Sequence, residues 1–284
     1  MVEPAKLQAR ADGLVRMTVE LPQQEAQYHH FDFFGRIHNE GLEHVFQSYL
    51  LTLPNRDYPE AEIVANVARA TTYYVDDVCS ITRSTGVKDF SVYEYLATKA
   101  SLQRALDAAT DLSTFQKQVL LRIDTILLTA NGSLESVNTD LASVQAQIDH
   151  HMNTDDRPFL YATLSVARHS VRYWSDEKVA NKWIDIVNDF GTKHRRGFHK
   201  TLAIDWGKVA EADYNGFCAA VIGYASSGAW KGPAMRGAII GALTTGGVGS
   251  VAAAILNVVG HGAAAGVAGA VGMSALEVLR QELF

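Results

Sequence analysis

One uncharged stretch constrains this chain more than any other: Gly237 to Leu276, GAIIGALTTGGVGSVAAAILNVVGHGAAAGVAGAVGMSAL. It contains no Asp, Glu, Lys or Arg, and it is bounded by Arg236 and Glu277. A helix that crosses a bilayer needs roughly 20 consecutive apolar residues. The stretch has length for one such span, Gly237 to Gly260, and for a shorter partner, Gly262 to Leu276. The segment Asn257 to Gly262 is the expected turn between them. Ten of the chain's 22 glycines lie here, and they are ordered. Gly237, Gly241, Thr245, Gly249 and Ala253 fall at every fourth position, as do Gly262, Gly266, Ala270 and Ser274. Residues four apart share a helix face. A face of small residues lets two backbones approach closely, the packing mode of many membrane helices. Glycine costs a water-exposed helix about 1 kcal/mol relative to alanine, so such a stretch needs either a bilayer or close protein neighbours. Thr244-Thr245-Gly246-Gly247 is a candidate break in the first helix. The expected element is a glycine-zipper hairpin whose packing face carries Gly237, Gly241, Gly249, Gly262 and Gly266.

The rest of the chain reads as helical. Hydrophobic residues make up 48% and charged residues 20%, a globular balance. A net charge of −6 argues against a nucleic-acid partner. Residues 1–31 read as an irregular arm, and Asp32 as the cap of a first helix running to about Leu51. Ile63, Val67, Ala70, Tyr74 and Val78 keep the 3.6-residue period of a second helix over 58–82. Further helices are expected over 91–109 and 113–130, and Leu134, Val137, Leu141, Val144 and Ile148 make a fifth helical stripe. A sixth begins beside Pro158, which suits a first helical turn, and a seventh runs from Ser175-Asp176-Glu177 to Gly191. No convincing period-two alternation and no hairpin signal occurs. The fold class is therefore all-α: a multi-helix bundle with a C-terminal Gly/Ala-rich hairpin. Residues 1–200 form a helical body. Residues 201–284 hold an amphipathic helix over 205–224, the apolar hairpin, and a short amphipathic tail from Glu277.

Between these parts lies TKHRRGFHK, which packs Lys193, Arg195, Arg196 and Lys200 into a few residues. Clustered cations before an apolar segment attract anionic lipid surfaces, and tryptophans favour the interface. Lys193, Arg195, Arg196, Lys200, Trp206 and Trp230 are the candidate lipid contacts; an exposed linker is the plainer reading. The N-terminus, MVEPAKLQARADGLVRM, has no apolar run of signal-peptide length. Synthesis in the cytoplasm is expected, with release by a dedicated machine or lysis, or with membrane association.

Reactive constellations are weak. His29, His30, Asp32, His38, Glu40, Glu43 and His44 crowd together, but the HExxH order is absent, and a zinc site needs a complete ligand set. This cluster reads as a polar helix start whose side chains cap, pair or face water. Asp76-Asp77 and Asn188-Asp189 approach the two magnesium motifs of terpene synthases. The first lacks its third carboxylate, and Arg196 stands where the second needs an acid. No Walker loop, dinucleotide fingerprint or GxSxG motif occurs. Cys79 and Cys218 make no disulfide framework and read as buried free thiols. No catalytic residue, metal or cofactor is expected.

The segments FDFFGRIHNEGLEH (31–44), SVARHSVRYW (165–174) and DWGKVAEADYNGFCAAVIG (205–223), followed by the Gly/Ala stretch, resemble a group of uncharacterised bacterial proteins. Those share an HNEGL-type start and a glycine-rich, bacteriocin-like C-terminus. In architecture alone, a helical bundle with a late apolar hairpin is similar to pore-forming colicins, whose hairpin is buried in water and inserts in membrane. The resemblance carries no known activity and adds a class only; the leading expectation from the hairpin is a membrane-active, bacteriocin-like or pore-forming protein whose hairpin inserts or oligomerises. The alternative is a soluble interaction or assembly protein that uses the same helices for close packing; an enzyme ranks third. The implied partners are an anionic membrane and further copies of the chain.

Overall fold

The computed structural model describes residues 23–52, 60–74, 102–110, 112–129, 134–153, 157–194, 204–224 and 260–283. Among these residues nine α-helices follow one another and no strand forms. They are α1 (Gln23–Ser48), α2 (Glu60–Tyr73), α3 (Leu102–Ala108), α4 (Thr114–Leu128), α5 (Leu134–His151), α6 (Pro158–Trp174), α7 (Glu177–His194), α8 (Trp206–Tyr224) and α9 (Gly260–Leu283). A 3-10 turn, Leu50–Thr52, follows α1.

Local chemistry fixes several boundaries. Ser113 starts α4 through a reciprocal capping box. Its hydroxyl accepts from Gln116 N at 3.2 Å, and the Gln116 side chain accepts from Ser113 N at 2.8 Å. Asp176 accepts from Lys178 N at 2.9 Å and starts α7. Pro158 opens α6, where its missing N–H has no helical partner to lose. Arg157 reaches back to the open end of α5. It donates through Nε to Met152 O at 2.8 Å and through Nη2 to Asp149 O at 2.7 Å, so a cation meets the negative end of that helix.

The core is built around α1, α6, α8 and α9. Their most extensive pairing is α8 with α9, followed by α1 with α6. The α1–α6 pair keeps one offset along its length. Phe31 meets Tyr161 with ring centroids 5.6 Å apart, Gly35 meets Ser165, Asn39 meets His169, and Glu43 meets Tyr173. Each step advances four residues on both helices, so the two run parallel in fixed register. α8 runs antiparallel to α1, with Phe217 on Phe34 and Asp213 on His38. α9 runs antiparallel to α8, since Gln281 holds Asp205 while Gly269 meets Gly216. α4 packs on α5, α6 and α8, and α5 also packs on α6. α2 and α7 each contact α9, and they pack on α1 and α6 respectively.

Where the Gly/Ala stretch is described, it forms this core. On α9, Val267, Ala270, Val271, Met273, Ser274, Ala275, Leu276, Val278 and Leu279 are all buried. A helix that is apolar all round belongs inside a protein or a bilayer. Here α8, α1, α2 and α7 supply the surroundings. Among the described residues no helix is long and apolar enough to cross a membrane.

Four boundary expectations change. α1 starts at Gln23 and runs through Asp32, which is not its cap. α7 continues through Gly191 to His194. The last expected turn residues, Gly260 to Gly262, already belong to α9, and the tail from Glu277 is part of that same helix. The first limb of the expected hairpin, 237–259, lies outside the described residues.

Candidate functional site

The polar groups of the body collect along the α1–α6–α8 seam. At its centre Asp213 of α8 is fully enclosed. Its Oδ2 accepts from the Trp174 indole N–H at 2.7 Å and from the Ser170 hydroxyl, both on α6. Its Oδ1 lies 3.0 Å from His38 Nε2 of α1. That approach is short, yet the ring N–H is not aimed at the oxygen, and neither atom completes a hydrogen bond. Ser170 and Trp174 sit one helical turn apart, so both reach the same carboxylate oxygen.

Above this centre, His169 Nε2 meets Asp32 Oδ1 at 2.7 Å. The ring of His169 lies across α1 at Gly35, where an added Cβ would come within 2.6 Å of His169 Cβ. The Gly35 N–H donates to Ser165 Oγ at 3.1 Å. Below the centre, Glu43 accepts from the Tyr173 hydroxyl at 2.8 Å and pairs with Lys182 of α7. Lys182 also stands over the Phe46 ring at 4.8 Å, a cation–π contact. Trp183 N–H donates to Tyr173 Oη at 3.2 Å. Burial first, and then the Glu43 and Asp213 charges, push the Tyr173 phenol up, against the indole N–H that lowers it. It stays a neutral donor.

This arrangement is buried between the helices. His38, Asp213 and Ser170 are 0% exposed and Trp174 only 2%. Ser170 donates to the carboxylate and not to the imidazole, so the nucleophile–base hydrogen bond of a serine triad is missing from this seam. Among the described residues no three His, Cys, Asp or Glu side chains converge in a metal-holding group. Of the N-terminal polar cluster, His38 is buried against Asp213. His44 stacks on Tyr73 at 5.7 Å and meets Tyr74 in a tilted contact at 5.5 Å, with burial lowering its pKa. Cys218 is a buried free thiol, pushed up chiefly by burial, and hence a poor nucleophile. Cys79 lies outside the described residues. An open hollow lined by Leu134, Glu135, Asn138, Thr139 and Ala142 follows α5 alone.

The residues singled out from sequence are scattered. Gly262 and Gly266 lie on α9, and Gly266 is buried. Lys193 lies in the last turn of α7. Trp206 opens α8 and stacks on Trp174, with centroids 5.1 Å apart and planes at 15°. Gly237, Gly241, Gly249, Arg195, Arg196, Lys200 and Trp230 lie outside the described residues. The central group was not anticipated, because its members come from three distant segments. A usable signal existed: Asp213 directly precedes the uncharged run YNGFCAAVIGY of α8, and buried charges need partners.

A second acidic group joins α4 to α8. Burial raises the pKa of Asp124, offset in part by Asn215. Burial, and then the Asp124 charge, raise that of Glu211. Asn215 Nδ2 donates to Glu211 Oε1 at 3.1 Å, while Asp124 Oδ1 is buried without a hydrogen bond. An acid whose pKa is raised by folding holds its proton more tightly in the native state. Stability is then full below the ordinary carboxylate range and falls as pH rises through the shifted value. Asp124→Asn removes that loss. Its melting temperature should exceed the parent's by about 2–4 °C near pH 7, with the gain disappearing near pH 4. Equal gains at both pH values would show that the Asp124 charge is not strained.

No protein-family model, curated protein or solved structure matches the chain.

Proposed function

We propose that the chain is a helical interaction protein whose Gly/Ala-rich region serves close helix packing and not bilayer insertion. The observation that carries this reading is the α8–α9 contact. A Cβ at Gly216 would stand 2.7 Å from the Gly269 carbonyl carbon and 3.0 Å from Ala270 Cα. Glycine here brings two backbones together inside the protein, the use that the alternative reading of the sequence gives it. By extension, the Gly237, Gly241 and Gly249 stripe is the candidate face for a second copy of the chain. Gly241→Leu is then expected to shift the intact protein toward a smaller species in size-exclusion chromatography with light scattering, with melting unchanged. An unchanged assembly state would remove that face.

A second reading, membrane activity of the bacteriocin-like or colicin-like kind, is favoured by the lack of charge over 237–259. In it the hairpin inserts, and Lys193, Arg195, Arg196, Lys200, Trp206 and Trp230 meet anionic lipid. Flotation of the full chain with anionic vesicles separates the two readings: the packing reading expects the protein to stay in the bottom fraction. Deleting residues from 225 onward is not a clean control, since it also removes α9 from the core.

A further inference from the structure

We propose that His38 and Asp213 form a one-proton latch that closes α1 over the α8–α9 pair. Asn39 sets its polarity. The Asn39 Nδ2 donates to His169 O at 3.2 Å, so its Oδ1 faces His38 Nδ1 at 3.0 Å. An amide oxygen only accepts, so Nδ1 carries a hydrogen. Across the ring, Nε2 faces Asp213 Oδ1 at 3.0 Å with no exposure of either side chain. Were Nε2 bare, a lone pair would oppose an anionic oxygen at full burial, where the low local dielectric strengthens the repulsion. One proton must therefore sit between α1 and α8. The other carboxylate oxygen already accepts two hydrogen bonds, from Ser170 and Trp174. That carboxylate keeps its charge, and the proton rests on Nε2. Because the N–H is not aimed at Oδ1, the contact relies on charge more than on direction. α8 in turn holds α9 through Gly216, so this one proton bears on the helix at the centre of the core.

The geometry names its own neutral replacement. In Asp213→Asn the remaining oxygen still accepts from Ser170 and Trp174, and the amide N–H points at Nε2. His38 can then close the latch as a neutral ring protonated on Nδ1 alone. The experiment is native-state hydrogen exchange of α8 and α9 amides, read beside the 15N spectrum of His38. Expected for the parent are two protonated ring nitrogens. Asp213→Asn should show one, with exchange within about threefold of the parent. His38→Ala leaves a buried carboxylate without its partner, and should speed α8 and α9 exchange on the order of 100-fold or more. Should His38→Ala not fold, His38→Ala/Asp213→Asn is expected to fold again, since no unpaired charge remains. The latch is overturned by any of three results: a bare Nε2 in the parent, Asp213→Asn exchanging as fast as His38→Ala, or a double variant that recovers nothing.

Discussion

Gly216→Ala is expected to cost about 2–3 kcal/mol of unfolding free energy, toward the upper end of what overpacking does. The new methyl would meet the Gly269 carbonyl carbon at 2.7 Å and Ala270 Cα at 3.0 Å. These are backbone atoms, and no rotamer change moves them away. α8 and α9 would have to separate, and they form the most extensive helix pair among the described residues. Gly207→Ala is the control. It lies in the first turn of α8, where the nearest atoms are the movable Asp205 carboxylate at 3.2 Å and Leu127 O at 3.4 Å. Its effect should stay within about 0.5 kcal/mol. Denaturant midpoints at constant slope read both variants. Equal stability of Gly216→Ala and parent would mean that the two backbones do not touch.

Trp174→Ala should cost about 3–5 kcal/mol, the range for removing a buried large aromatic. Its ring packs edge-on to Trp183 with centroids 5.2 Å apart, lies flat on Trp206 at 5.1 Å and meets Tyr173 at 4.9 Å. Its N–H is one of two donors on Asp213 Oδ2. Trp174→Phe restores most of the apolar contact and leaves that oxygen one donor short. It should fall between parent and alanine variant, below the parent by the loss of one hydrogen bond to a charged group, about 1.5–3 kcal/mol. Trp206→Ala should cost less than Trp174→Ala, because Trp206 is only partly buried. A loss under about 1 kcal/mol for Trp174→Ala would contradict the aromatic core described here.

The helices that sequence reasoning placed well are those with local punctuation or a clean apolar stripe. Pro158 announces α6, and the stripe Leu134, Val137, Leu141, Val144 and Ile148 on α5 is buried except at its first member, the exposed Leu134. The failures are local signals that other terms outweigh. Asp32 looks like a cap but pairs with His169. Gly191 looks like a stop, yet one glycine costs a helix only about 1 kcal/mol, and α7 passes through it. The every-fourth pattern marks Gly262 and Gly266, whereas the closest described contact of α9 uses Gly269. Its partner, Gly216, lies outside the Gly/Ala stretch altogether. The His38–Asp213 pair has no sequence spacing to betray it, because it depends on α6 packing on both α1 and α8.

The claim that α9 is a permanent core helix is tested most directly by amide hydrogen exchange over Val267 to Leu279, with and without anionic vesicles. A core helix opens only with the whole protein. These amides should then exchange at the rate set by global unfolding, and vesicles should leave that rate unchanged. Fast exchange in water, or protection that shifts when vesicles are added, would contradict it.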